Sequence, residues 1–267
     1  MARTSSIDSH IIGTYTTLRL GIGILAIALP IVLVGYGLLR HALPIQDSIS
    51  AYYHAFLPTS QFPDVQAVAG MGLMRNWFVG ILWAIGVFLF LYKGFGYREN
   101  TALNAAGILL ILVAMFPMGW TCGNACPKVS IHGVSAILFF LLISYVCIFR
   151  SGDTLKQSII PDPRERRRYQ FWYRFFGIVM AAFPLIVTTL EWLQLRPFGS
   201  YFVLVLEVVG IITFACYWIL KTVEIARSKA DQAAIEGKLV RPNRVANPVS
   251  YWLDSRPLVE RETPEGE

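Results

Sequence analysis

Six stretches of this chain, each about twenty residues long and nearly free of charge, are apolar enough to cross the roughly 30 Å of hydrocarbon in a lipid bilayer. No other feature constrains the fold as strongly. Backbone in lipid has no water to bond, so a run of that length must satisfy its own N–H and C=O groups as a helix. The runs fall at about 18–40, 74–93, 101–119, 131–149, 172–194 and 200–222. They predict an all-α, polytopic membrane protein with six transmembrane helices in one bundle. On this reading residues 1–17 form an N-terminal segment. Residues 18–222 form the membrane domain with a loop at 41–75, and residues 223–267 a charged tail. Arg40 and His41 follow the first run where a signal-peptide cleavage site would need small residues, so that run is expected to remain a span. Pro30 in its middle removes a backbone donor and predicts a kink.

Sidedness comes from the basic residues. With the N-terminus in the cytoplasm, nineteen Lys and Arg fall in inner segments, among them Arg19, Lys221 and the run Arg164 to Arg168. Only Arg40, Arg75, Lys128 and Arg196 fall outside. Short basic flanks resist translocation, so both termini are expected in the cytoplasm, as in a multi-pass protein of a bacterial inner membrane. The net charge of +6 is thereby read as topology and headgroup attraction, and no nucleic-acid partner is implied. A hydrophobic content of 55% excludes an ordinary soluble domain.

This orientation gathers the reactive residues on the outer face. Asp47, Ser48, Ser50, Tyr52, Tyr53, His54, Arg75 and Asn76 lie in or beside the first outer loop. His132 opens the fourth run, Glu191 closes the fifth, and Glu207 lies roughly 10 Å into the sixth. An intramembrane carboxylate needs a partner. Arg75 is the first choice for Glu207, with Arg196 or His132 as substitutes; a structural ion pair or a hydrogen-bonded neutral carboxyl serves equally well. From Asp47 or Ser48 as N-cap, a short amphipathic helix is expected on the outer surface. Ile49, Tyr52, Tyr53 and Phe56 would share one face, with Ser50 and His54 turned toward the bundle mouth.

Two readings of this cluster follow. In the first it recognises membrane lipids, or an adjacent subunit of a larger membrane complex, without catalysis, and Tyr52, Tyr53, Arg75, Asn76 and Glu191 are the binding residues. In the second it is a lipid hydrolase or transferase in which His54, His132, Ser50 or Glu207 does the chemistry with a carboxylate or metal. A solute transporter ranks behind both, because Asn104 and Thr189 are sparse polar groups for a path. Cys122 and Cys126 fall in an outer loop and are expected to close a disulfide. The alternative is zinc held by Cys122, Cys126, His132 and His54, although no metal or other cofactor is required. Cys147 and Cys216 read as packing residues.

The order Ser48-Ile49-Ser50-Ala51-Tyr52-Tyr53-His54, then Arg75-Asn76-Trp77-Phe78-Val79-Gly80, Phe116-Pro117 and His132, resembles an uncharacterised family of small bacterial six-span membrane proteins. More distantly the Ser-Ile-Ser segment resembles the Frag/DRAM-type families, which implies lipid remodelling. The Ser50 to His54 spacing is similar to the CREST membrane hydrolases, in which serine, aspartate and three histidines hold a zinc. That resemblance implies roles for Ser50, His54 and Asp64, but Ala136 stands where a second His-x-x-x-His element would end.

Overall fold

A computed structural model describes residues 6–41, 44–55, 72–119, 130–156, 162–193, 195 and 201–236, and these are helices joined by short bends and turns, with no strand among them. Helix α1 (Ser6–Pro30) continues through a π-helical stretch, Ile31–Tyr36, into α2 (Gly37–His41). A 3₁₀ turn, Ser50–His54, follows. Then come α3 (Leu73–Leu91), α4 (Tyr97–Met115), and α5 (Ile131–Tyr145) with its π-helical end Val146–Arg150. The chain closes with α6 (Gly152–Lys156), α7 (Pro163–Trp192), α8 (Phe202–Ser228) and α9 (Ala230–Ile235).

Pro30 widens the first helix instead of breaking it. Proline cannot donate to the carbonyl four residues back and its ring crowds that carbonyl, so the turns that follow relax to the wider π spacing.

Four of the described helical stretches are long and apolar enough to cross a membrane: Ile7–Leu39, Leu73–Leu91, Ile131–Arg150 and Phe202–Ser228. Of the other two expected spans, α4 opens with Arg98, Glu99 and Asn100, and α7 with Arg164, Glu165, Arg166, Arg167 and Arg168. The lipid-like solvent shows in the outer surface as well. Ile24, Ile31, Leu39, Leu91 and Phe149, all on these four stretches, are each more than half exposed, while the inward stripes of the same helices are equally apolar. Helices apolar on all sides belong in a membrane.

The long helices pack in a closed ring, α1 against α3, α3 against α4, α4 against α5, α5 against α7, α7 against α8, and α8 back on α1. The 3₁₀ turn, the end of α4 and the starts of α5 and α8 meet at one end of this ring. The ends of α3, α5 and α8 meet with the starts of α4 and α7 at the other.

Helices α3 and α4 approach most closely at Gly86 and Gly107. A Cβ on Gly107 would sit 2.5 Å from the Gly86 carbonyl oxygen, and that backbone cannot swing aside. Beside it the Asn104 amide, turned to satisfy its neighbours, donates to the Phe90 carbonyl at 3.0 Å. Small residues with an interhelical amide are how helices adhere where lipid removes the hydrophobic drive. Gly107→Ala is expected to force α3 and α4 apart and cost about 1–3 kcal/mol, read as a lower thermal midpoint in detergent; an unchanged midpoint would contradict the contact.

Candidate functional site

The site is built on an exchange of helix caps between two distant segments. The first N–H groups of a helix lack partners inside it. Helix α8 gives its Leu204 N–H to the Asp47 carbonyl at 2.9 Å. In return the Glu207 carboxylate, one turn on, accepts the Ile49 N–H that opens the 3₁₀ turn at 2.5 Å. Ser48 Oγ takes the Ala51 N–H at 3.0 Å, and the Ile49 carbonyl takes the Tyr52 N–H at 3.2 Å. With three-residue spacing enforced in this way, the segment coils as 3₁₀ rather than α.

The expected amphipathic helix on the membrane surface is therefore corrected. The turn is plugged into the bundle mouth, with Tyr52 only 1% exposed and Ser50 8%. Burial pushes the Tyr52 phenol above the ordinary tyrosine range, and its oxygen accepts the Gln46 N–H at 3.5 Å. Tyr53 packs edge-on against Phe78, and its ring meets the His54 ring at 5.0 Å between centroids. Arg75 does not pair with Glu207. It is exposed, with its guanidinium 6.0 Å from the centre of the Tyr53 ring. Backbone N–H groups, not a second charge, hold the carboxylate.

His132, buried at the start of α5, completes the cluster. Its Nδ1 lies 3.0 Å from both the Val113 and the Phe116 carbonyl oxygens. Those atoms only accept, so Nδ1 carries the hydrogen. The other nitrogen, Nε2, is then the acceptor for the Ser50 hydroxyl at 2.9 Å. Ser50 Oγ also lies 3.4 Å from Glu207 Oε1. His54, half-buried on the next turn, places Nε2 3.0 Å from the Met118 carbonyl. Ser50, His132 and Glu207 thus form one constellation, with His54 beside it. Asn76 is exposed. The Glu191 side chain, Arg196, Cys122, Cys126, Phe56 and Asp64 lie outside the described residues, and so does the expected disulfide. Cys147 is buried and Cys216 exposed. Among the described residues no three of His, Cys, Asp and Glu come together as a metal site would require.

Beneath Ile49 and Ser50 lies a cavity of about 70 Å³. Its walls are apolar: Leu29 from α1, Phe78 and Leu82 from α3, Leu110 from α4, Phe139 from α5 and Phe214 from α8. Ser50 and Glu207 supply its polar end. A space of that size holds about two or three methylene groups, so the arrangement can accept the polar terminus of an apolar chain with the few carbons next to it. It is poorly built for acyl hydrolysis, because the Glu207 carboxylate beside Ser50 Oγ opposes the negative charge that would develop there, whereas an oxyanion hole needs donors.

A second buried polar cluster occupies the opposite end of the ring, and sequence reasoning missed it. Lys221 Nζ donates to Glu224 Oε2 at 3.0 Å, to Thr154 Oγ1 at 2.6 Å and to the Ser151 carbonyl at 3.1 Å. Tyr173 and Thr154 hydroxyls also donate to Glu224 Oε2, at 3.2 and 3.1 Å. Beside it Arg19, 1% exposed, pairs with Asp231 at 2.5 Å. That pair exists because Lys229 adopts left-handed backbone (φ 50°) and turns α9 back onto α1. Lys221 and Arg19, taken from sequence as flank charges that orient the chain, are in fact neutralised inside it. The signal was available: Phe214, Trp218, Lys221 and Ile225 follow the helical period of a buried stripe.

No family model, no curated protein and no solved structure matches the chain, so the functional reading of these residues rests on their geometry.

Proposed function

We propose that the protein is a six-span protein of a bacterial inner membrane, both termini cytoplasmic, whose extracytoplasmic end holds a lipid-accepting site. The last few carbons of an apolar chain enter the cavity, and its terminus meets Ser50 and Glu207 under the 3₁₀ turn. Binding, not turnover, is the activity. The observation that supports this reading is the cavity itself: apolar walls with one polar end, at the end of the bundle where His132 and His54 also lie. Ligand sites in membrane bundles take this form, a mostly apolar cleft with a few placed polar groups.

The test is occupancy by a photoactivatable alkyl chain in purified full-length protein. Ala136→Leu, whose added volume matches the cavity and fills it from α5, should lower labelling of the α3 and α8 peptides at least about fivefold. Equal labelling of the variant would sink the proposal. Reporter fusions in the 56–71 segment check the sidedness, with activity expected only on the extracytoplasmic side.

One observation favours the catalytic alternative, the 2.9 Å contact between Ser50 Oγ and His132 Nε2, which is the spacing of a nucleophile and its base. It predicts lipid turnover that Ser50→Ala and His132→Ala both abolish. The carboxylate beside Ser50 and the lack of an orienting acid on His132 rank it second.

A further inference from the structure

The polar end of the cavity has a chemical sign. Its hydrogen-bond donors are all committed. The Ile49 N–H goes to Glu207, the Ala51 N–H to Ser48, and His132 Nδ1–H to two carbonyls. The Ser50 hydroxyl hydrogen goes to His132 Nε2. Were His132 doubly protonated, Nε2 would donate to Ser50 Oγ instead, and the Ser50 hydrogen would turn to Glu207 Oε1, 3.4 Å away. Were Glu207 protonated, its hydrogen would go to Ser50 Oγ. In each of these arrangements the hydrogens are spoken for, which leaves lone pairs on Ser50 Oγ and Glu207, the two polar residues that line the cavity.

We infer that the cavity selects an apolar chain ending in a hydrogen-bond donor, a primary alcohol or an ammonium group, over one ending in carboxylate or phosphate. This rests on the lipid-accepting reading and gives it a substrate class. A donor terminus bridges Ser50 Oγ and Glu207 Oε1, two acceptors that otherwise face each other. A carboxylate terminus would set a second anion beside Glu207 in an apolar enclosure, with no uncommitted donor to hold it.

The experiment compares three short diazirine probes of equal length, an alcohol, an amine and a carboxylic acid of about three carbons each to suit the cavity, on full-length protein in detergent micelles. Labelling of the cavity-lining peptides is read by mass spectrometry. The alcohol and the amine are expected to label at least about tenfold more strongly than the acid, the size of effect an unpaired buried polar group produces. Glu207→Gln, checked for folding by its melting temperature, places an amide donor at this end, so the gap between amine and acid should narrow. Acid labelling equal to the alcohol and amine in the wild type overturns the selectivity while leaving chain binding intact. Absence of labelling by all three overturns the lipid-accepting reading, and the selectivity with it. The wild-type comparison stands whether or not the variant folds.

Discussion

Lys221→Ala is expected to lose about 3–5 kcal/mol of stability, since removing one member of a buried ion pair strands the other. The side chains of Lys221 and Glu224 are 1% and 0% exposed. Glu224 Oε1 already has no partner among the described residues, so Oε2 carries the whole compensation. Without the ammonium, only the Thr154 and Tyr173 hydroxyls remain to hold the carboxylate, and the Ser151 carbonyl loses a donor as well. Lys221→Met combined with Glu224→Leu should cost clearly less than the two single changes added together, because no charge is then left unpaired. Unfolding titrations of the four proteins in mixed micelles give the coupling. Strict additivity, or a Lys221→Ala protein as stable as the wild type, would show that water reaches the pair.

How much of this could be read from the sequence depends on what carries each contact. The apolar runs mark the helices because length and hydropathy are local properties, and the four spans Ile7–Leu39, Leu73–Leu91, Ile131–Arg150 and Phe202–Ser228 overlap four of them, though the first helix begins well before its run and the last continues past it. The meeting of Ser50, His132 and Glu207 was half legible. Alternating helices put the three at one end, but the pairing rule used to connect them was charge against charge, which pointed at Arg75. The actual partners of Glu207 are backbone N–H groups and a hydroxyl, and backbone donors look the same at every position of a sequence. The surface helix expected at 47–56 failed for the same reason. Its apolar period was real, yet a cap supplied from residue 207 pulled the turn inward and changed its pitch. Lys221 and Arg19 were misread because a basic residue near the end of an apolar run looks alike whether it faces headgroups or an acid across the bundle. Only the acids give it away, and Asp231 reaches Arg19 through a left-handed residue that no sequence pattern announces.

Glu207→Ala carries the other large effect, and its signature is local before it is global. The carboxylate accepts the Ile49 N–H and lies within reach of the Ser50 hydroxyl, so truncation leaves a helix-opening donor unpaired inside the bundle mouth. A lost hydrogen bond to a charged acceptor is worth about 1.5–3 kcal/mol. Most of that loss should appear as opening of the 3₁₀ turn, because Ser50–His54 is held to the ring by α3, by the His132 and Met118 contacts of its side chains and by this one backbone cap. Amide hydrogen exchange over 46–55 should quicken by about tenfold or more, while the Lys221 end of α8 keeps its protection. Glu207→Gln retains an acceptor for the Ile49 N–H and should quicken exchange far less. Glu207→Met, which keeps most of the volume but offers no oxygen acceptor to the Ile49 N–H, should quicken exchange much as alanine does, and so separates the cap from mere loss of packing volume. If the alanine and methionine variants exchange like the wild type, the turn is held by its packing on α3 and by the Ser50 and His54 side-chain contacts without the cap. The carboxylate would then be free of structural duty, which would move Glu207 from scaffold to ligand.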